Sequence, residues 1–301
     1  MRIGIDLGGT KIEAIALDAS GRECFRHRVK TPRGDYPGTI EAVASLVGNA
    51  EAVVGGSSVG VGMPGVVSPA SGLVKNANST WLNGRPLTED LTARLGRPVR
   101  LANDANCFAL SEATDGAAAG LPVVFGVILG TGVGGGLIVD GRVVTGANAI
   151  AGEWGHNPLP WPQPDEIPGP DCYCGRQGCI ETFLSGPGLA RDHARHTGCT
   201  LDAAAIVDAA AAGDAAAGET IARYANRLAR GLASVINIFD PHAIVLGGGV
   251  SNVAQLYERV PRIWGEFVFS DAVVTRLARA VHGDASGVRG AAWLWNGADG
   301  G

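Results

Sequence analysis

The hydrophobic pattern breaks into short runs of β-branched residues, each stopped by glycine, and longer alanine-rich stretches at helical spacing. Arg2 to Leu7 and Ile12 to Leu17 are apolar and separated only by Gly8-Gly9-Thr10-Lys11, which predicts a β-hairpin. Ile40 to Val47 predicts a helix, and Val59-Gly60-Val61-Gly62 a strand leading into Met63-Pro64-Gly65. Val99 to Ala102 is a further strand, after which Asn103-Asp104 opens a helix through Cys107, Ala109 and Glu112. Beyond the glycine- and alanine-rich stretch at 116–120 the grammar restarts: Val123 to Leu129 and Gly136 to Val139 are strands around Gly130-Thr131-Gly132-Val133-Gly134-Gly135-Gly136. Residues 157–171 contain six prolines and predict an irregular excursion. Ala215 to Ile238 is helical, Ala243 to Leu246 a strand, Gly247-Gly248-Gly249 a turn, and Val253 to Phe267 and Val288 to Trp295 are helices.

The order strand, glycine-and-threonine turn, strand occurs twice, a faint internal duplication that predicts two related α/β halves facing one another. A chain of 301 residues exceeds the usual single core, so two domains with a cleft are expected, divided as 1–116 plus 288–301 and 117–287. The three glycine turns read as contacts to one polyphosphate, because backbone amides converge on an anion where no Cβ intrudes. Gly8, Gly9, Thr10 and Lys11 supply one set of donors, and Thr131, Gly132, Val133, Gly134 and Gly135 a second. Gly247, Gly248 and Gly249, between strand and helix, have room for a flat base. The first turn lies in a hairpin and lacks the G-x-x-x-x-G-K-[ST] spacing of a Walker loop. Asp6, at the end of its strand, can hold Mg2+ through water, so the nucleotide is expected to be ATP with magnesium.

A formal charge of −5 with scattered arginines offers no basic field for nucleic acid. No charged leader precedes the first strand, and the apolar runs fall short of the ~20 residues of a membrane helix, so a cytoplasmic protein away from the membrane is expected. Of six cysteines, Cys24, Cys107 and Cys199 stand alone, which is no disulfide framework. The other three form Cys172-Tyr173-Cys174-Gly175-Arg176-Gln177-Gly178-Cys179, soft thiolates in a glycine-containing knuckle. One imidazole would complete a tetrahedral, structural Zn2+ site, with His156 preferred over His193 and His196. That link would fix Glu153 and Glu181, whose carboxylates with the imidazole suit a polyol. Asn103-Asp104 fits an ordinary helix N-cap, but it also follows a strand's carboxyl end, where open α/β sheets place ligands. Asp104 is there the candidate general base, taking a proton from a sugar hydroxyl as it attacks a γ-phosphate.

Taken together, Asp6 to Lys11, Asn103-Asp104-Ala105-Asn106, Gly130 to Gly136, Gly152-Glu153-Trp154-Gly155-His156 and Cys172 through Glu181 resemble the ROK family of bacterial sugar kinases over essentially the whole chain. The resemblance implies an actin-like and hexokinase-like ATPase fold with duplicated ribonuclease H-like domains, a zinc loop, closure of the domains on substrate, and return of the helix from Val288 to the first domain. It also implies Asp104 as base, sugar contacts from Pro64, Gly65, Asn103, Glu153, His156 and Glu181, zinc on His156, Cys172, Cys174 and Cys179, and a homodimer. Residues 75–84, 154–161 and 282–290 look most like bacterial fructokinases of the manno(fructo)kinase type, whereas N-acetylglucosamine kinases share Asn103 to Glu112 and the Gly130 to Gly136 turn. The expected reaction is transfer from ATP to the 6-hydroxyl of D-fructose, with D-mannose as a further acceptor and N-acetylglucosamine or glucose as the alternatives. The family's sugar-responsive repressors carry a helix-turn-helix module, for which a hairpin beginning at residue 2 leaves no room.

Overall fold

In the computed structural model, which describes residues 1–296, the chain divides into two compact units. One comprises Met1–Pro122, Gly136–Ala151 and the segment from Val281; the other comprises Val123–Gly135 and Gly152–Ala280. Among the described residues no helix is long and apolar enough to cross a membrane.

The first unit is built on β1 (Arg2–Leu7), β2 (Lys11–Leu17), β3 (Glu23–Lys30), β4 (Ser58–Met63) and β7 (Val99–Asn103), in the order β3-β2-β1-β4-β7. The first three form an antiparallel meander, while β4 and β7 join parallel to β1. In this register Asp6 lies opposite Glu13 on one side and Gly62 on the other, and Met63 lies opposite Asn103. The carboxyl ends of β1, β4 and β7 therefore finish at one edge of the sheet, which is where the candidate site is assembled. Side chains alternate across the strand: Ile3, Ile5 and Leu7 enter a core shared with Val43, Leu46 and Val47 of α1 (Tyr36–Val54). Gly4, on the other face, lies against Val288 and Ala292. The small strands β5 (Val66–Val67) and β6 (Val74–Lys75), then α2 (Leu87–Leu95) and α3 (Asp104–Thr114), complete this part of the chain.

The second sheet, β8 (Val123–Leu129), β9 (Val133–Val139), β10 (Arg142–Val143), β11 (Ala243–Gly247) and β12 (Arg276–Arg279), has the order β10-β9-β8-β11-β12. Its layout repeats that of the first, with β11 parallel to both β8 and β12, so the duplication inferred from two hairpins extends to the topology. Its helices are α4 (Ile180–Leu184), α5 (Gly186–Thr197), α6 (Ala203–Ala211), α7 (Ala215–Phe239) and α8 (Gln255–Ile263); α9 (Ser286–Trp293) belongs to the first unit. The 157–171 excursion is tied down by a buried guanidinium: Arg230 Nη1 donates to Trp161 O at 2.7 Å and Nη2 to Glu166 Oε1 at 2.8 Å. Arg227 Nε donates to the same Glu166 oxygen at 2.7 Å, and its Nη1 to Asp192 Oδ1 at 2.7 Å.

Two sequence expectations are corrected. The second glycine turn is shorter than Gly130 to Gly136, because β9 begins at Val133 and Gly134, Gly135 and Gly136 lie within the strand. Glycine is needed at those strand positions for close packing: a Cβ on Gly135 would lie 2.7 Å from the Trp154 ring, and one on Gly136 2.6 Å from Ala105 O. The helix expected over Val253 to Phe267 is instead α8 flanked by 3-10 turns at Gly249–Asn252 and Trp264–Glu266. Pro261 has no N–H to donate, and α8 stops two residues later.

Helix α9 is held to α3 by one carboxylate. Glu112, fully buried, accepts from the Ala117, Val281 and His282 amides at 2.9, 3.0 and 3.2 Å and from Ser286 Oγ at 2.8 Å. Removing it takes this acceptor from three part-buried amides and from the buried Ser286 hydroxyl, which keeps only Gly283 O at 2.9 Å, so Glu112→Ala should cost about 3 kcal/mol, read as a lowered urea midpoint, with Glu112→Gln less damaging.

Candidate active site

In the first unit the hairpin between β1 and β2 closes through Gly8 N to Lys11 O at 3.0 Å. Thr31 braces it from β3's end, its N donating to Thr10 O at 3.0 Å and its Oγ1 to Gly8 O at 2.7 Å. Thr10 is left exposed at the tip. Asp6 points to the face that carries Gly4 and sits beside other carboxylates. Burial first, then the charges of Asp104 and Glu13, push its pKa up to about 6 against the opposing pull of Lys11 and Arg28. Glu13 is itself buried and neutralised by Arg26 and Arg28, each at 2.8 Å. A surplus of negative charge around Asp6 is what a site for the cation of MgATP requires.

Asn103 and Asp104 divide the two roles that their sequence position allows. Asn103 is the N-cap of α3, its Oδ1 accepting from Ala105 N at 2.9 Å while Nδ2 donates to Gly65 O at 3.1 Å. Asp104 is the first helical residue, exposed, with Oδ1 2.8 Å from the same Ala105 amide, so the helix N-terminus supports its negative charge. The Gly65 bond joins the Pro64-Gly65 turn to this helix start. Gly65 has φ +74°, and a Cβ there would lie 2.6 Å from Ala77 N, so no other residue fits between the turn and the following segment.

In the second unit Gly130, Thr131 and Gly249 line a groove of about 660 Å³ together with Gly186, Pro187 and Asn252. Gly132 and Gly248 instead face protein. A Cβ on Gly248 would lie 2.5 Å from Leu129 O, and one on Gly132 2.7 Å from Glu181 Oε2. Glu181 Oε2 accepts from Val133 N at 2.9 Å, and Gly134 O accepts from Trp154 Nε1 at 3.1 Å.

The ligand atoms of His156, Cys172, Cys174 and Cys179 all lie within 4.8 Å of one another. Cys172 Sγ is 3.5 Å from His156 Nδ1, and Cys174 Sγ 3.6 Å from Cys179 Sγ. A tetrahedron with zinc–sulfur bonds has edges of about 3.7 Å, so three thiols and one imidazole already approximate that geometry. Burial, with the neighbouring sulfurs, pushes the Cys179 thiol up to about 12, so a cation that binds must displace its proton. With Nδ1 turned to the sulfurs, the other imidazole nitrogen of His156 meets the Tyr173 hydroxyl at 3.0 Å. Burial of that hydroxyl, followed by the charges of Glu181, Cys172 and Glu153, pushes Tyr173 up to about 12, although most of its ring is exposed.

The sequence profile of the ROK family matches residues 2–298. The chain belongs to the ROK family. Over 299 residues it is 44% identical to the N-acetyl-D-glucosamine kinase of Pectobacterium atrosepticum, with 98% of each chain covered. Among solved ROK structures it is similar to the ROK hexokinase of Thermus thermophilus, at 34% identity and TM-score 0.86 over 97% of both chains. The ROK glucokinase of Streptomyces griseus in complex with glucose and AMPPNP shares 30% identity and TM-score 0.76 over 97% of this chain and 98% of that one.

The residues read from the ROK segments thus fall into separate groups. In the first unit Asp6, Gly8 to Lys11, Pro64-Gly65, Asn103 and Asp104 gather at the carboxyl edge of the sheet. In the second, Glu153, His156 and Glu181 gather around Tyr173, and Gly130, Thr131 and Gly249 around the groove. Sequence reasoning missed Tyr173, although it stands between two of the cysteines, and missed Glu13, whose cross-strand pairing with Asp6 follows from the hairpin register. It also missed the α5 and α6 wall of the groove, for which small residues such as Gly186, Ala203 and Ala204 give no chemical signal.

Asp6 holds its proton more tightly in the folded chain than its ordinary value of 3.8 allows, so the stability it contributes is complete below that pH and is lost as pH rises through about 6. Asp6→Asn should therefore melt higher than the parent at pH 7.5, by about 1–3 kcal/mol, and the difference should vanish below pH 4 in parallel thermal scans. Cys179→Ser removes one of the four candidate donors, so zinc uptake measured by atomic emission should fall from one per chain in the parent towards none, and Tm should fall by about 5–10 °C.

Proposed function

We propose that this ROK chain is an ATP-dependent sugar kinase that phosphorylates the 6-hydroxyl of a free hexose, with N-acetyl-D-glucosamine as its acceptor. The observation that carries this reading is 44% identity to a kinase of that sugar along the full length of both chains. A second reading, D-fructose, rests on residues 75–84, 154–161 and 282–290, which look most like bacterial fructokinases of the manno(fructo)kinase type.

In the proposed reaction the 6-hydroxyl oxygen attacks the γ-phosphorus, the bond to the β-γ bridging oxygen breaks, and ADP leaves. Asp104 takes the hydroxyl proton; its exposure at the start of α3 and the support of Asn103, which caps the helix, suit it to that task. Asn103, Pro64, Gly65, Glu153, His156 and Glu181 orient the sugar. Thr10 and Lys11 with Gly8 and Gly9 meet the phosphates, and Asp6 holds magnesium through water. The groove lined by Gly130, Thr131 and Gly249 takes the nucleoside. Gly132, Val133, Gly134 and Gly135, and Gly247 and Gly248 in the turn after β11, offer their backbone to the nucleotide, and phosphoryl transfer gains chiefly from such positioning.

His156, Cys172, Cys174 and Cys179 would hold Zn2+, which supplies no electrophile and cross-links the loop to the Glu153–His156 segment. One nitrogen of His156 is turned to the sulfurs and the other meets the Tyr173 hydroxyl at 3.0 Å, so a sugar hydroxyl that reaches His156 would take the place of Tyr173 there. A homodimer accompanies this reading.

A coupled assay with ATP and magnesium across N-acetylglucosamine, fructose, mannose and glucose should give the largest kcat/KM for N-acetylglucosamine; a clear preference for fructose establishes the second reading. Asp104→Asn should lower kcat by about 10²–10⁴-fold while calorimetry finds sugar affinity largely kept. Activity with no hexose, or an unaffected Asp104→Asn variant, overturns the kinase reading.

A further inference from the structure

The turn between β8 and β9 is fastened at both ends to the start of the helical segment that follows the metal-site cysteines. Gly186 N donates to Gly130 O at 2.8 Å, and Val133 N donates to Glu181 Oε2 at 2.9 Å. Between these anchors, a Cβ on Gly132 would lie 2.7 Å from that same carboxylate oxygen and 3.6 Å from its carbon. Gly132 is therefore required by a carboxylate seated against the turn, whereas Gly130 and Thr131 line the groove. Glu181 is held in turn from its own end: Cys179 precedes α4 by one residue, and Glu181 O accepts from Ser185 N at 3.1 Å.

We propose that Glu181 is a positioning residue for the second glycine turn, so that the carboxylate offered to the sugar and the backbone offered to the nucleotide are parts of one hydrogen-bonded element. The inference rests on the reading of Glu181 as a sugar contact and adds a coupling that the reading does not contain. One oxygen of the carboxylate is committed to the Val133 amide, which directs the group's remaining acceptor capacity to a sugar hydroxyl. A hydroxyl that draws on the carboxylate orders Glu181, and with it the Val133 end of the turn. Sugar and nucleotide then bind with positive cooperativity, each restricting a segment that the other would otherwise have to order.

The decisive variant is Gly132→Ala. It adds a methyl group in the turn that borders the nucleotide groove, yet its collision is with the Glu181 carboxylate. Titration calorimetry with sugar alone, no nucleotide present, should show sugar affinity lowered roughly tenfold, about 1.4 kcal/mol. Gly130→Ala, where a Cβ would meet only Ile128 Cγ2 at 4.0 Å, should leave sugar affinity unchanged. The enhancement of AMPPNP binding by sugar should also be reduced in Gly132→Ala. Equal sugar affinity in Gly132→Ala and the parent overturns the inference, as does loss of AMPPNP affinity alone. Should that variant not fold, hydrogen exchange at the Val133 amide of the parent decides: sugar should slow it, and an unchanged rate overturns the coupling. Failure of the parent chain to bind any hexose is a different result, which removes the kinase reading itself.

Discussion

Three sulfurs and one imidazole nitrogen drawn within 4.8 Å of each other impose a constraint from which much of the second unit's site follows. The cluster pins the Trp154–His156 turn to the loop that ends in Cys179, and Cys179 is followed at once by α4. Helix α4 carries Glu181, which grips the Val133 amide, and the chain leaving it offers the Gly186 amide to Gly130. A distortion at the cysteines would be carried along this sequence of short covalent and hydrogen-bonded steps to a turn on the wall of the groove. The geometry of the cysteine and histidine cluster and that of the glycine turn are thus linked inside one unit.

The first unit organises its chemistry through charge. Asp6, Glu13 and Asp104 gather three carboxylates near the carboxyl edge of one sheet, and the available cations are unevenly distributed among them. Glu13 takes Arg26 and Arg28, so the positive charge goes to the cross-strand partner of Asp6 while Asp6 remains short of it. Such an arrangement costs stability in the free protein, and a cation bound beside Asp6 would offset it.

How far this arrangement can be read without coordinates depends on what each residue reveals. The first hairpin, the strand into Met63, the helix from Asp104, the helix from Ala215 and the knuckle of cysteines were all legible, because periodicity, capping residues and metal-ligand spacing carry their own signals. Strand β3 was not: its sequence ECFRHRVK alternates charge with partly buried residues and looks like a solvated segment. Helix α1 extends well past the apolar run that announces it, from the Asp35 cap to Val54. Glycines were the most ambiguous signal. Those at 135, 136 and 248 are needed where side chains or backbone of the protein itself come close, a reason no local pattern separates from the approach of a phosphate. The candidate base and its helix cap were legible as a pair, whereas the groove lined by glycines, alanines and Pro187 was visible only once α5 and α6 were in place.

The Glu112 contact has a consequence for how the chain comes off the ribosome. Strands β1 to β7 and helix α3 lie in the first half of the chain, but the helix that covers Gly4 and Gly60 spans residues 286–293 and is held by a carboxylate on α3. The opening sheet must therefore wait, one face uncovered and three of the four hydrogen-bond acceptances of Glu112 incomplete, while the whole of the second unit is synthesised. The unit begun first is the one finished last, and during that interval its bare face is the part of the nascent chain most in need of protection from other chains.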